Sequence, residues 1–303
     1  MLGLGVAAGL LLQRTHFCTM GCISDAALFG SLRRLRVWAL ALAVAMLGTQ
    51  LLDELGVVHL AASVYRTEGW LFVGALPGGL MFGFGMVLAG GCISRNLVRL
   101  GSGSGKAGVA LAVAAAAALA TLAVLPVSSE AVGHGPAALH SVAIAAAVGL
   151  ILFALGSRPF RGSLPDLATG VALGSLIPLG WLATSLVGAD PDSLNFMSLH
   201  RPELVLPLAV GTVLGAFAMA WWRRELRIER FGARDDLLRH LVGGTLMGVG
   251  GALALGCTIG QGLTGASTLS PGSVLALAAM LLGAWRGVRY LETGRLLTIA
   301  RRA

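Results

Sequence analysis

Charge is what this 303-residue chain has least of. Asp, Glu, Lys and Arg make up only 12% of it, against roughly a quarter of an ordinary soluble domain. Of its 22 basic residues only Lys106 is lysine, which reads as genomic composition rather than function. Cysteine is scarce too: four residues and no Cys-x-x-Cys pair, which argues against a disulfide scaffold or a thioredoxin-like centre. Zinc-finger spacing and basic patches with interleaved aromatics are both missing, so nucleic acid is not an expected partner. No nucleotide-binding motif occurs and no carboxylate falls inside an apolar run, which speaks against a proton relay or a sodium site. Nothing in the chain calls for a cofactor or a resident metal.

What is abundant is apolar surface. Hydrophobic residues account for 56% of the chain, with 44 glycines, and mean hydropathy is +0.83. Apolar runs near twenty residues recur from end to end, the signature of a protein embedded in a lipid bilayer. Met1 to Leu12 reads as part of the first span rather than a cleavable leader. The expectation is an all-α polytopic membrane protein with nine spans. They lie at about 2–31 (broken in its middle), 37–57, 70–91, 107–127, 138–156, 165–187, 203–222, 238–257 and 272–288.

Basic residues test that count, because short cytoplasmic loops collect them. With the N-terminus outside and the C-terminus in the cytoplasm, nineteen fall in connections predicted inside. Only Arg66 and Arg201 fall outside, and Arg14 lies within the first span. One miscounted span would invert every later loop.

The most informative feature is a repeat. Gly78-Gly79-Leu80-Met81-Phe82-Gly83-Phe84-Gly85-Met86-Val87-Leu88-Ala89-Gly90-Gly91-Cys92 recurs 165 residues later as Gly243 to Cys257, with eight of fifteen positions identical. The copies are spans three and eight, so they cross in opposite directions. This predicts inverted pseudo-two-fold repeats with broken or re-entrant helices: unit one at 1–127, a connector at 128–160 and unit two at 161–303. Such repeats are a recurrent plan of secondary transporters. Gln13-Arg14-Thr15-His16 and Ile177-Pro178-Leu179-Gly180 are the expected interruptions of spans one and six.

The chemistry is expected at the breaks. From Pro77, a residue suited to a helix start, to Gly91 is about fifteen residues or roughly 22 Å, short of the bilayer core. Cys92 and Cys257 should therefore lie within membrane depth, followed by irregular chain whose free amides suit an anion. Arg14, placed within a span without a nearby carboxylate, is a candidate for the anion's oxygens, and His16 stands beside it. Gly91, Gly256 and Gln261 at the breaks complete the candidate substrate-binding set of Cys18, Cys92, Cys257, Arg14 and His16. Cys22 reads as apolar filler, Gly79, Gly83, Gly244 and Gly248 as packing faces. Asp53, Glu54, Asp190 and Asp192 read as outer surface, and the Arg223–Arg239 run as a solvated loop.

Three segments carry a resemblance: Arg14-Thr15-His16-Phe17-Cys18; Leu88-Ala89-Gly90-Gly91-Cys92 with Arg99 and Gly101; and Leu255-Gly256-Cys257-Thr258-Ile259-Gly260-Gln261-Gly262. In this order they resemble the YeeE/YedE sulfur-transport family over essentially the whole chain. The resemblance implies a permease of the bacterial inner membrane for thiosulfate or a related small sulfur anion. It implies stepwise, non-covalent passage from Cys18 to Cys92 to Cys257, and the company of a cytoplasmic sulfurtransferase. The alternatives are a membrane sulfur-transfer protein forming a persulfide on Cys92 or Cys257, and a permease for copper(I) or selenium compounds. In the copper reading Cys18, Cys22, Cys92, His16 and Met20 would be the soft ligands.

Overall fold

The structure, a computed structural model, describes residues 1–60, 63–66, 70–125, 138–187, 191–199, 201–232 and 234–293. Among these residues the fold is helical. α1 (Leu2–Thr15) stops at His16, which is left-handed, and Cys18 then leads into the short α2 (Thr19–Phe29). α3 (Arg33–Glu54) returns across the molecule, and a 3-10 turn at Val64–Arg66 precedes α4 (Trp70–Leu88). α5 (Ile93–Gly101) follows the Cys92 break, then α6 (Gly105–Val124), α7 (Ala138–Leu155) and the single turn α8 (Arg158–Arg161). α9 (Leu164–Leu186), α10 (Pro202–Trp222) and α11 (Arg234–Leu253) come next. A π-helical turn at Gly260–Gly265 and α12 (Pro271–Thr293) complete the described chain.

Six stretches are long and apolar enough to cross a bilayer: Arg33–Glu54, Gly74–Gly101, Gly105–Val124, Leu164–Leu186, Pro202–Trp222 and Pro271–Thr293. Large apolar side chains point away from the protein along them. Leu51, Leu119, Leu206 and Leu282 are each more than half exposed, as a lipid-facing surface requires. The chain is a multi-pass membrane protein. The other three expected spans are helical as well, but α1 has only 14 residues, α7 offers a shorter apolar stretch, and α11 opens on Arg234-Asp235-Asp236.

The expected helix start at Pro77 and the expected interruption at Pro178 are both absent. α4 begins at Trp70 and runs through Pro77, and α9 runs through Pro178. Each proline withholds one backbone donor, which a membrane helix tolerates when neighbours pack around it. Pro178 packs on Gly48, where a Cβ would lie 2.7 Å from its ring. The first-span break at Thr15–His16 is where the sequence puts it.

The helices interlock in pairs. α1 packs on α10, α3 on α9, α4 on α12 and α6 on α11. At the centre α4 and α11 run antiparallel, with Gly78 against Gly250 and Gly85 against Gly243. A Cβ on any of the four would come within 2.8 Å of the opposing backbone, so these helices meet main chain to main chain.

The α9–α10 connection departs most from expectation. Residues Asp192 to Ser198 are buried rather than on the outer surface. Ser193 Oγ donates to the Ile177 carbonyl (2.7 Å), and Thr184 Oγ1 to that of Asp192 (2.7 Å). Thr264 Oγ1 donates to the Leu194 carbonyl (3.1 Å), tying the connection to the π-helical turn. The segment forms a plug seated beside Cys257.

Candidate functional site

The sequence repeat is reproduced as a repeated helix ending. Gly90 is left-handed (φ 71°), and the Gly91 N–H donates to the Met86 carbonyl at 2.8 Å. At the matching position Leu255 is left-handed (φ 54°), and the Gly256 N–H donates to the Gly251 carbonyl at 2.9 Å. Leucine in this conformation costs about 1–2 kcal/mol, which glycine escapes. Its retention marks a turn the surroundings impose.

Side-chain amides brace both breaks. Gln261 Nε2 donates to the Ala254 carbonyl at 2.6 Å, and Asn96 Nδ2 to that of Gly91 at 2.8 Å. Asn96 lies 165 residues before Gln261, so the repeat places both. The sequence reading named Gln261 and missed Asn96, although that offset was enough to find it. Gly91 and Gly256 thus shape the turns ahead of the thiols.

Cys92 and Cys257 are 2% and 0% exposed. The Cys92 and Ser94 side chains are 3.2 Å apart, sulfur to oxygen, and Cys92 is the residue ahead of α5. The first N–H groups of α5 have no partner within the helix and sit at its positive end. The Gly260 N–H donates to Cys257 Sγ at 3.4 Å, joined by the N–H groups of Phe196 and Ile259. With its sulfur accepting from the backbone, the Cys257 S–H remains a donor for a guest. Thr258 Oγ1 and Gln261 Oε1 nearby are buried without a hydrogen-bond partner.

Cys92 is near enough to both Cys18 and Cys257 to interact with each electrostatically. Cys18 is half-buried, and Cys22 lies behind it in α2, 2% exposed. Among the described residues no group of three or more His, Cys, Asp or Glu side chains is placed to hold a metal ion.

Around Cys18 the molecule is strongly basic. Arg33 pairs with Asp166 (2.6 Å), Arg34 with Asp25 (3.3 Å), and Arg223 with Glu225 (3.7 Å). Arg99 pairs with Glu229 (2.8 Å), which also accepts from Ser104 (2.5 Å). A cleft of about 320 Å³ opens here, lined in part by His16, Asp25, Arg34 and Asp166. His16 is exposed at its rim; partial burial and the positive charge of Arg95 hold its imidazole below the usual range. Arg14, expected at membrane depth, is instead exposed at the end of α1, where its carbonyl accepts from Arg223. α1 is short enough that its last turn reaches the basic face.

Asp192, expected on the surface, is 2% exposed. It accepts from the Ser193 N–H (2.8 Å) and hydrogen-bonds Tyr65, whose hydroxyl also accepts from Asn195 Nδ2 (3.0 Å). Burial pushes its carboxyl up to about 6.

Two known proteins are similar in sequence to this chain over nearly its full length, and a third over about a quarter of it. "Thiosulfate transporter TsuA" of Spirochaeta thermophila is 27% identical, over 93% of this chain and 95% of that protein. "Thiosulfate transporter TsuA" of Escherichia coli K12 is 25% identical, over 98% and 96%. "Probable transporter YedE" of E. coli K12 is 34% identical over 27% of this chain and 21% of its own. The Sulphur transport profile matches twice, at residues 14–157 and 132–286. Two matches on one chain, each holding one of the paired cysteine breaks, are what a duplicated transport protein should give, and this chain belongs to the Sulphur transport family.

Proposed function

We propose that the chain is a bacterial inner-membrane permease that moves thiosulfate, or a related small sulfur anion, inward past a series of thiols without covalent chemistry. The observation that supports this is that Cys92 and Cys257 follow matching helix breaks, with Cys18 near Cys92. Thiosulfate has a soft terminal sulfur and a hard oxyanion end. A neutral S–H can donate to the sulfur while N–H groups at each break hold the oxygens. Several weak sites in a row bind well enough to admit the anion and weakly enough to release it.

Orientation follows from charge. The basic face, with Arg33, Arg99, Lys106 and Arg223, is cytoplasmic under the positive-inside rule, so Leu2 starts α1 outside. Cys257 then lies on the outer side beneath the plug, and Cys18 at the inner mouth. Inward passage runs Cys257, Cys92, Cys18, the reverse of chain order. A cytoplasmic sulfurtransferase would receive the substrate at this basic mouth.

The nine-span, inverted-repeat reading is supported by reciprocity. Gly78–Gly250 and Gly85–Gly243 exchange places under the 165-residue offset. The α4–α12 and α11–α6 packings do the same, as do α1–α10 and α9–α3. The helices of units 1–127 and 161–303 thus interlock rather than lie side by side, while α7 of the 128–160 connector packs on α3. Rocking one unit against the other would tear these pairs apart, so gating belongs to the breaks and the plug.

The test is labelled thiosulfate uptake in cells lacking other sulfur permeases, at matched expression. Cys92→Ser and Cys257→Ala should abolish uptake and Cys22→Ala should keep it. Uptake that survives loss of Cys92 and Cys257 sinks the thiol series; no uptake by the wild type makes thiosulfate the wrong ligand.

A further inference from the structure

Four arginines near the basic mouth are committed to carboxylates. Arg33, Arg34, Arg99 and Arg223 each have a carboxylate within 4 Å. Arg95 stands apart. No carboxylate among the described residues pairs with it, and its Nη1 is buried without a hydrogen-bond partner. A buried donor on a charged group left unsatisfied is expensive, and such groups are kept where something else completes them.

Its position says what would. Arg95 lies three residues after Cys92, and its Cβ and Cγ pack over Gly91, where an added Cβ would lie 3.1 and 2.9 Å from them. Its charge acts on both Cys18 and His16. The guanidinium therefore sits at the step between the middle thiol and the inner one. The repeat adds a contrast. The position equivalent to Arg95 is Gly260, where a Cβ would meet the Asn195 side-chain amide at 2.5 Å. A neutral amide occupies at the outer break the place that a cation occupies at the inner one.

We infer that Arg95 is an oxyanion-binding residue of the pathway, taking the oxygen end of a tetrahedral sulfur anion as its terminal sulfur passes from Cys92 to Cys18. The inference rests on the permease reading and narrows it: the site recognises an anion with several oxygens, which a planar guanidinium grips with two parallel donors. Arg14, exposed at the rim, has no such enclosure.

The experiment is thermal stabilisation of the purified full-length protein by thiosulfate, sulfate or phosphate, at ionic strength fixed with chloride, alongside thiosulfate uptake. Wild type is compared with Arg95→Gln, Arg95→Lys and the surface-paired control Arg289→Gln, whose partner is Glu292 on α12. Losing a hydrogen bond to a charged group corresponds to about tenfold or more in affinity. Arg95→Gln should therefore raise the half-saturating thiosulfate concentration about tenfold or more. Arg95→Lys should raise it less, and Arg289→Gln should leave it unchanged. Without ligand, Arg95→Gln should melt no lower than wild type, since it removes an unpaired buried charge; a purely structural arginine would lower the melting point. Unchanged half-saturation in Arg95→Gln overturns the inference while wild-type uptake keeps the permease reading. If that variant does not accumulate, unchanged half-saturation in Arg95→Lys overturns it equally. A wild type that ignores thiosulfate but binds another oxyanion through Arg95 supports the inference and refutes the thiosulfate reading. A wild type stabilised by none of these anions overturns both.

Discussion

Replacing Asp192 with asparagine should make the protein more stable near neutral pH, although it removes a hydrogen-bonded acid. Asp192 is buried in the plug, and burial raises its carboxyl from 3.8 to about 6. The folded protein therefore holds this proton more tightly than the unfolded chain. The stability that goes with the bound proton is fully present below about pH 3.8 and is lost as pH rises through about 6. The difference is roughly two pH units, or about 3 kcal/mol at 1.36 kcal/mol per unit. Asparagine presents the same oxygen to the Ser193 N–H and to Tyr65 but has no charge to desolvate. The assay is melting temperature in detergent from pH 4.5 to 7.5 for wild type and Asp192→Asn. Other carboxylates cancel in the difference. The variant should gain on wild type as pH rises through 6, by on the order of 5–10 °C for a chain of this size. A flat difference, or wild type gaining on the variant, would mean that a positive partner holds Asp192 ionised, and the reasoning from burial would fail.

Tyr65→Phe takes a donor from Asp192, so it should destabilise by about 1–2 kcal/mol near neutral pH and move the stability transition to higher pH; an unchanged midpoint would show that the hydroxyl does not serve the carboxyl. Gly83→Ala and Gly248→Ala should each weaken the fold by about 1–3 kcal/mol or more, because the new Cβ would lie 2.0 Å from the Met280 carbonyl and 2.3 Å from that of Ala114. Gly149→Ala, which meets nothing within 4 Å, should melt like wild type or higher, and equal melting of all three would refute the close-packing argument.

Much of this was legible because lipid imposes few solutions. Apolar runs became helices, and the Gly-rich repeat ending in a thiol became two matching turns at Gly90 and Leu255. The prolines misled because a start signal in water is only a missing donor in a packed membrane helix, as at Pro77 and Pro178. Asp192 misled because its neighbours Asp190, Pro191 and Ser193 read as a solvated loop. Only tertiary packing shows Tyr65 and Thr264 waiting for that segment. Arg14, expected at membrane depth, lies exposed at the end of α1 for a similar reason. Sequence gives a side chain's depth along the chain, while burial depends on where its helix ends.

The reciprocal contacts between α4 and α11 also speak to ancestry. Gly78 meets Gly250 and Gly85 meets Gly243, the exchange expected when a surface meets its own copy across a two-fold axis. Two half-length chains inserted in opposite directions would make that contact as a homodimer. Joining them through one extra crossing would fix both orientations in a single gene and free each half to diverge. Arg95 at one break, where the matching position of the other is Gly260 beside the neutral Asn195, would be such a divergence, and it would give an originally directionless pore a preferred way through.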